Sequence, residues 1–197
     1  VLWVNRDAMA AAGVDPDTDL STWQSVGTAL TALKAGGEEC PLVTAWQSWI
    51  HLENFSAYHD VPFATKDNGF AGLDTELTLN GPAQVAHLSA MGQWAKDGKF
   101  IYTGRRNEGG ANFRAGECAL FTESSAGYAG IKKEAEFDFE VRPLPYWKGV
   151  GNSPQNTIIG GASLWVMEGH SDAEYKGAGE FLSYLSSTDV QAQWHQD

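Results

Sequence analysis

Trp46 and Trp49 stand three residues apart in the stretch AWQSWIHLENF, just after the apolar run LVT. Indole faces stack on the apolar side of polyols and on cationic choline groups. Such a pair either packs into a core or offers flat faces to a ligand. Ser124-Ser125 follow ALFTE and open a predicted helix. There a hydroxyl joins free backbone N–H groups, and the positive end of the helix dipole favours an anion. Gly161 lies in the run GGAS after Ile158-Ile159. Without a Cβ, its N–H can approach an oxyanion closely. Plainer readings stand beside these: an ordinary N-cap at Ser124 or Ser125, and a bulge or close packing point at the glycine pair. Taken together, Trp46, Trp49, Ser124 and Gly161 describe a site for a polar, phosphate-bearing small molecule with an apolar or cationic flank.

Catalytic chemistry finds less support. His51, His59, His87, His170 and His195 are scattered, with no motif joining them. His51-Leu52-Glu53 has the H-x-E form of zinc deaminases, but the P-C-x-x-C half is missing. Glu53 fits half of a glycosidase pair, yet the sequence selects no second carboxylate. Its plainer reading is an acid favoured by a helix N-terminus. There is no G-x-S-x-G, no Walker loop and no G-x-G-x-x-G. No catalytic residue, metal ligand or cofactor is expected, and the chain does not read as an enzyme.

The elements that position these residues follow from periodicity and punctuation. Val1–Val4 reads as a strand and Asn5–Ala12 as a short helix ended by Gly13. Thr22 caps a helix to about Ala35, whose buried face is Trp23, Val26, Leu30 and Leu33. Residues 41–44 form a strand, and Ser48–His59 a helix. Glu76–Leu79 reads as a short strand. Pro82 opens a helix to about Asp97, and Asn107–Arg114 forms another. Ala119–Thr122 and Phe137–Leu144 read as strands around a helix running from Ser124-Ser125 to about Ala135. Ile158–Met167 reads as a strand, with helices at Asp172–Leu185 and Asp189–His195. Strands and helices mostly alternate, so the expected class is α/β with a largely parallel sheet flanked by helices. In open parallel sheets, ligands sit at the carboxyl ends of strands, and all four candidate site residues fall at such ends.

A chain of 197 residues, 43% hydrophobic, suits one large domain or one lobe of a larger protein. Its net charge of −12 argues against a nucleic-acid or anionic-membrane surface. Arg105-Arg106 and Lys132-Lys133 are too short to reverse that and read as solvated helix ends. A monomer is expected. Cys40 and Cys118 each begin a short apolar run. Parallel strands starting side by side would bring them together, so a disulfide and a pair of buried thiols both stay open. The chain opens on a buried-looking strand and closes within a helix, so it is expected to be part of a longer protein.

NRDAMAAAGVDP, TWQ, WQSWIHLENFSA, PFATKDNGF, GECALFTESS and PQNTIIGGASLWVM are spread over nearly the whole chain. With these stretches the chain resembles the glycerol-3-phosphate-binding subgroup of the extracellular solute-binding proteins, the receptors of bacterial ABC importers. The resemblance implies a two-lobed α/β fold that closes over its ligand. Members bind sn-glycerol 3-phosphate, and some bind glycerophosphodiesters such as glycerophosphocholine. By position, Trp46 and Trp49 match the pair flanking the ligand, Ser124 a phosphate-contacting serine, and Gly161 a phosphate-contacting backbone. The implied location is periplasmic, or lipid-anchored and extracellular in a Gram-positive source, and the implied partners are the importer's membrane subunits. Residues 1–197 would then be most of the second lobe, without the amino-terminal and carboxyl-terminal segments. A receptor for neutral oligosaccharides of the maltose type is the alternative, and the Ser124/Gly161 pair weighs against it.

Overall fold

The computed structural model describes residues 1–194. It divides into two units, Val1–Ile159 and Gly160–Asp197. In the first unit the order is β1 (Leu2–Asn5), α1 (Arg6–Ala11), α2 (Trp23–Ala35) and β2 (Leu42–Thr44). A π-helical stretch, Trp49–Asn54, runs on into α3 (Phe55–Tyr58). There follow a single turn α4 (Thr65–Asn68), α5 (Pro82–Lys96), α6 (Glu108–Arg114), β3 (Leu120–Thr122), a 3-10 turn at Ser125–Gly127, α7 (Tyr128–Glu134) and β4 (Phe139–Arg142).

The helices begin where their caps stand. Asn5 accepts the Ala8 N–H at 2.9 Å to open α1. Thr22 and Ser25 form a reciprocal capping box on α2, and Trp23, Val26, Leu30 and Leu33 are buried on the face that the spacing predicts. Pro82 occupies the first turn of α5, where a missing N–H costs nothing.

The four strands lie in the order β2-β3-β1-β4. The largely parallel sheet expected from the alternation needs correction. Only β2 and β3 pair in parallel. β1 pairs antiparallel with both β3 and β4. So β2, β3 and β4 share one direction, and β1 alone is reversed between two of them. A helical connection does link β1 to β2, but the two are not neighbours: β3 lies between them, and β1 is antiparallel to it. Because β2, β3 and β4 point the same way, their carboxyl ends meet at one edge of the sheet.

Alternation along the strands divides the core in two. Leu2, Val4, Leu42 and Leu120 face α2 and its Trp23, Val26, Leu30 and Leu33. Trp3, Val43 and Phe121 face the other way, against Phe113 of α6 and Ile131 of α7. Cys40 and Cys118 lie upstream of the parallel pairing of Leu42 with Leu120 and are joined by a disulfide. The expected strand over Glu76–Leu79 is reduced to one bridge, between Ala64 and Leu77.

The second unit carries α8 (Asp172–Leu185) and α9 (Thr188–Trp194). Ser171 and Glu174 form a capping box on α8. The predicted strand at Ile158–Met167 is not formed, and the segment runs without a ladder. The Ile158 N–H donates to Asn54 Oδ1 at 2.8 Å, but an extended stretch is a strand only when a neighbouring backbone pairs with it, and among the described residues no backbone does so. The predicted last helix ends at Trp194, and His195 lies outside the described residues.

Candidate functional site

The site is built on two threonines. Thr44 ends β2, Thr122 ends β3, and the two are register partners. Their hydroxyls are 2.6 Å apart. Each is fully buried, and each is followed two residues later by a predicted site residue, Trp46 or Ser124. The Ala45 N–H donates to the Thr122 carbonyl at 3.0 Å, extending the pairing by one step before the chains diverge.

Trp46 then turns sharply. Its φ is 47°, in the left-handed region that a bulky side chain seldom enters. The Trp46 N–H donates to the Arg106 carbonyl at 2.8 Å, and its carbonyl accepts the Ile50 N–H at 2.9 Å, so both ends of the strained residue are tied. The indole is left 40% exposed. Trp49 begins the π-helical stretch and is half-buried against the core facing α2. The two indoles therefore divide the alternatives set by the sequence. One presents its face outward, and the other packs partly inward. Wide π turns concentrate at functional sites because they rotate the side chains that follow.

Ser124 caps the 3-10 turn at Ser125–Gly127, accepting the Ala126 N–H at 3.1 Å. It is only partly exposed, and its own N–H donates to the Glu123 carboxylate at 2.7 Å. Glu123 is buried, and burial raises its carboxyl above the ordinary range while the Ser124 amide pulls the other way. Gly161 belongs to the second unit. Its φ of 107° suits glycine, and a Cβ placed there would meet no neighbour within 4 Å. Trp46, Trp49 and Ser124 thus share one sheet edge, and Gly161 is described in its own unit.

Sequence reasoning missed what lies beneath this edge. His51 Nε2 lies 3.0 Å from the Thr44 hydroxyl and 3.1 Å from that of Thr122. His51 Nδ1 lies 3.1 Å from His87 Nε2, and the Trp147 indole N–H donates to His87 Nδ1 at 2.9 Å. His59 donates from Nδ1 to the Phe55 carbonyl and accepts the Trp147 backbone N–H at Nε2, both at 2.8 Å. Burial drives the His51 imidazole down to about 3. His87 is also held well below the usual histidine value, by burial first and then by His51 and His59. Both rings are therefore neutral at physiological pH. Every His51 ring nitrogen has a protein partner, which disposes of the zinc half-motif. Gln47 Oε1 and Thr103 Oγ1 are buried without a hydrogen-bond partner among the described residues. Gln47 is the immediate neighbour of Trp46, so strain and an unmet acceptor coincide there.

In open α/β sheets small molecules bind at the carboxyl ends of like-directed strands, where this sheet carries its aromatic and hydroxyl groups. The chain belongs to the bacterial extracellular solute-binding protein family, which it matches over residues 1–197. It is 44% identical over 196 residues to the sn-glycerol-3-phosphate-binding periplasmic protein UgpB of Yersinia pestis, and equally so to that of Escherichia coli. In both cases all of this chain is covered but only 45% of the relative, so it spans less than half of their length. Among solved structures, the cyclic alpha-maltosyl-1,6-maltose binding protein of Arthrobacter globiformis superposes with a TM-score of 0.73 at 19% identity, over 98% of this chain and 47% of that one. UgpB of Mycobacterium tuberculosis in complex with glycerophosphocholine gives 0.65 at 18% identity, over 99% and 48%. These two likenesses establish the fold.

Proposed function

We propose that the chain is part of the solute receptor of a bacterial ABC importer, and that it captures sn-glycerol 3-phosphate or a glycerophosphodiester such as glycerophosphocholine. The observation that carries this reading is the sheet edge itself. A strained, outward-facing indole and a helix-capping serine each follow one member of a buried threonine pair. The identity to proteins named for sn-glycerol 3-phosphate binding supports the choice of ligand. In this reading Trp46 and Trp49 flank the glycerol or choline portion and Ser124 faces the phosphate, while a phosphate role for Gly161 is taken from the resemblance of its sequence alone. Closure over the ligand would present the receptor to membrane subunits in the periplasm. The likeness to a maltosyl-maltose binding protein is one of fold and selects no ligand.

The test is a titration of tryptophan fluorescence with sn-glycerol 3-phosphate, glycerophosphocholine and maltose, on the chain and on Trp46→Ala. A response to the phosphate ligands that disappears in Trp46→Ala supports the reading. A response to maltose alone removes Ser124 and Gly161 from any phosphate role.

A further inference from the structure

The buried polar groups beneath the site form a chain with only one consistent direction. A tryptophan indole nitrogen can donate but cannot accept. Trp147 Nε1–H therefore requires an unprotonated Nδ1 on His87, 2.9 Å away. His87 then carries its proton on Nε2 and donates it to His51 Nδ1. His51, in turn, carries its proton on Nε2 and donates it to the threonine hydroxyls. The Thr44 hydroxyl lies 3.1 Å from the Ala45 carbonyl and 3.4 Å from the Thr122 carbonyl, the nearer being the better acceptor, and Thr122 has only the Thr44 oxygen as a hydroxyl acceptor among the described residues. So Thr122 donates to Thr44, and Thr44 to Ala45. Five donors in line end on the carbonyl of the peptide group whose N–H belongs to Trp46.

We infer that His51 is a positioning residue for the candidate site: its Nε2–H clamps the threonine pair from which Trp46 and Ser124 project, and a one-way donor chain from the Trp147 indole fixes its orientation. This rests on the reading of those two residues as ligand contacts. Steric packing alone would not need the polarity. His51 and His87 also pack against rings, His51 tilted to Trp23 and His87 stacked on Phe55 and edge-on to Trp147, surroundings that are themselves largely apolar. Histidine at this place supplies what leucine cannot, a donor toward the strands and an acceptor away from them. Trp147 is held at both of its N–H groups by imidazoles, so the loop that carries it is registered to the same point.

The donor chain is tested without ligand, in the unmodified chain. Imidazole nitrogen NMR should show His51 and His87 as Nε2–H tautomers and His59 as the Nδ1–H tautomer. A protonated Nδ1 on His51 or His87 overturns the inference. The clamp is tested by hydrogen exchange at the Ala45 and Trp46 amides in His51→Leu and His51→Gln, with α2 amides as the reference for global stability. Loss of one hydrogen bond at the clamp should speed exchange at Ala45 and Trp46 about tenfold relative to α2 in His51→Leu. His51→Gln keeps a donor near Nε2 and should restore most of the protection. Equal change in α2, or no recovery with glutamine, reduces His51 to a packing residue. Should His51→Leu fail to fold, Thr44→Val with Thr122→Val removes both contacts of His51 Nε2 from the strand side with little change of shape, and unchanged protection there overturns the clamp. Fluorescence titration with sn-glycerol 3-phosphate is read separately, so failure of the ligand assignment and failure of the clamp are told apart.

Discussion

Helices α2 and α8 are written in the same local grammar and end in opposite surroundings. Each opens with a capping box, Thr22 with Ser25 and Ser171 with Glu174. Each has apolar residues at helical spacing. Yet α2 buries Trp23, Val26, Ala29, Leu30 and Leu33, while α8 buries none of its residues. Trp23 is 1% exposed, and Trp165, just upstream of α8, is 83% exposed. Caps and propensity decide that a helix exists. Only a facing sheet decides what it buries. In the first unit the sheet supplies that face, and polar side chains such as His51 and Thr122 are admitted only with their hydrogen bonds met. In the second unit the described residues provide no such cover.

The comparison breaks hardest under acid. His51, His59 and His87 all have folded values pushed below the ordinary histidine value, with burial the leading cause in each. The unfolded chain therefore binds more protons, and stability is complete above about pH 6.5 and falls as pH drops toward the folded values. Each fully buried imidazole contributes a slope of about 1.4 kcal/mol per pH unit. Between about pH 6.5 and about pH 4.5, His51 alone should remove about 2 kcal/mol, and His87 and His59 add to the loss in the same direction. Glu123 opposes this, because its raised value favours the folded state as it protonates. Urea melts across this range should show the loss in the first unit. A flat profile would contradict the neutral, buried donor chain.

Next in size is the disulfide. Cys40 and Cys118 are separated by 78 positions, and opening a loop of that length costs about 4 kcal/mol in the chain-entropy view. Cys40→Ser with Cys118→Ser should lower the urea midpoint accordingly while leaving the helical content of α8 unchanged. Parallel loss of α8 signal would mean that the two units unfold as one.

A smaller contrast tests the strained indole. At an ordinary helix or strand position, alanine is worth more than glycine. At Trp46, with φ at 47°, the order should invert, with Trp46→Gly about 1 kcal/mol more stable than Trp46→Ala. Both should abolish ligand-dependent quenching. Alanine equal to or better than glycine would show that the left-handed turn relaxes when the indole is removed.

Much of this was legible in the sequence, for local reasons. Thr22, Pro82 and Gly13 mark helix ends through chemistry confined to one turn, and the face of α2 follows from its spacing. The edge bearing Trp46 and Ser124 was legible because both residues follow short apolar strands. The reversed sense of β1 was not. Leu2, Trp3, Val4 and Asn5 are all buried, so no polar face reports the strand's partners. Nor was the donor chain legible. His51 and His87 lie 36 positions apart, and Trp147 another 60 beyond His87, and no spacing rule joins them. The division near Ile159 was hidden as well, since the glycine pair there reads equally as a bulge.

The smallest expected effect sharpens the contrast most directly. Trp165→Ser replaces a large aromatic that stands almost fully outside. A surface substitution of this kind should shift the stability of the chain by less than about 0.5 kcal/mol. By contrast, truncating the buried Trp23 to alanine should cost about 3–5 kcal/mol. Unfolding of the two variants side by side, followed by far-ultraviolet circular dichroism, measures the ratio. Were Trp165→Ser to cost more than about 2 kcal/mol, the apolar face of the second unit would have to be covered in the folded protein. The difference between α2 and α8 would then lie in which part of the protein supplies the cover, and not in whether cover exists.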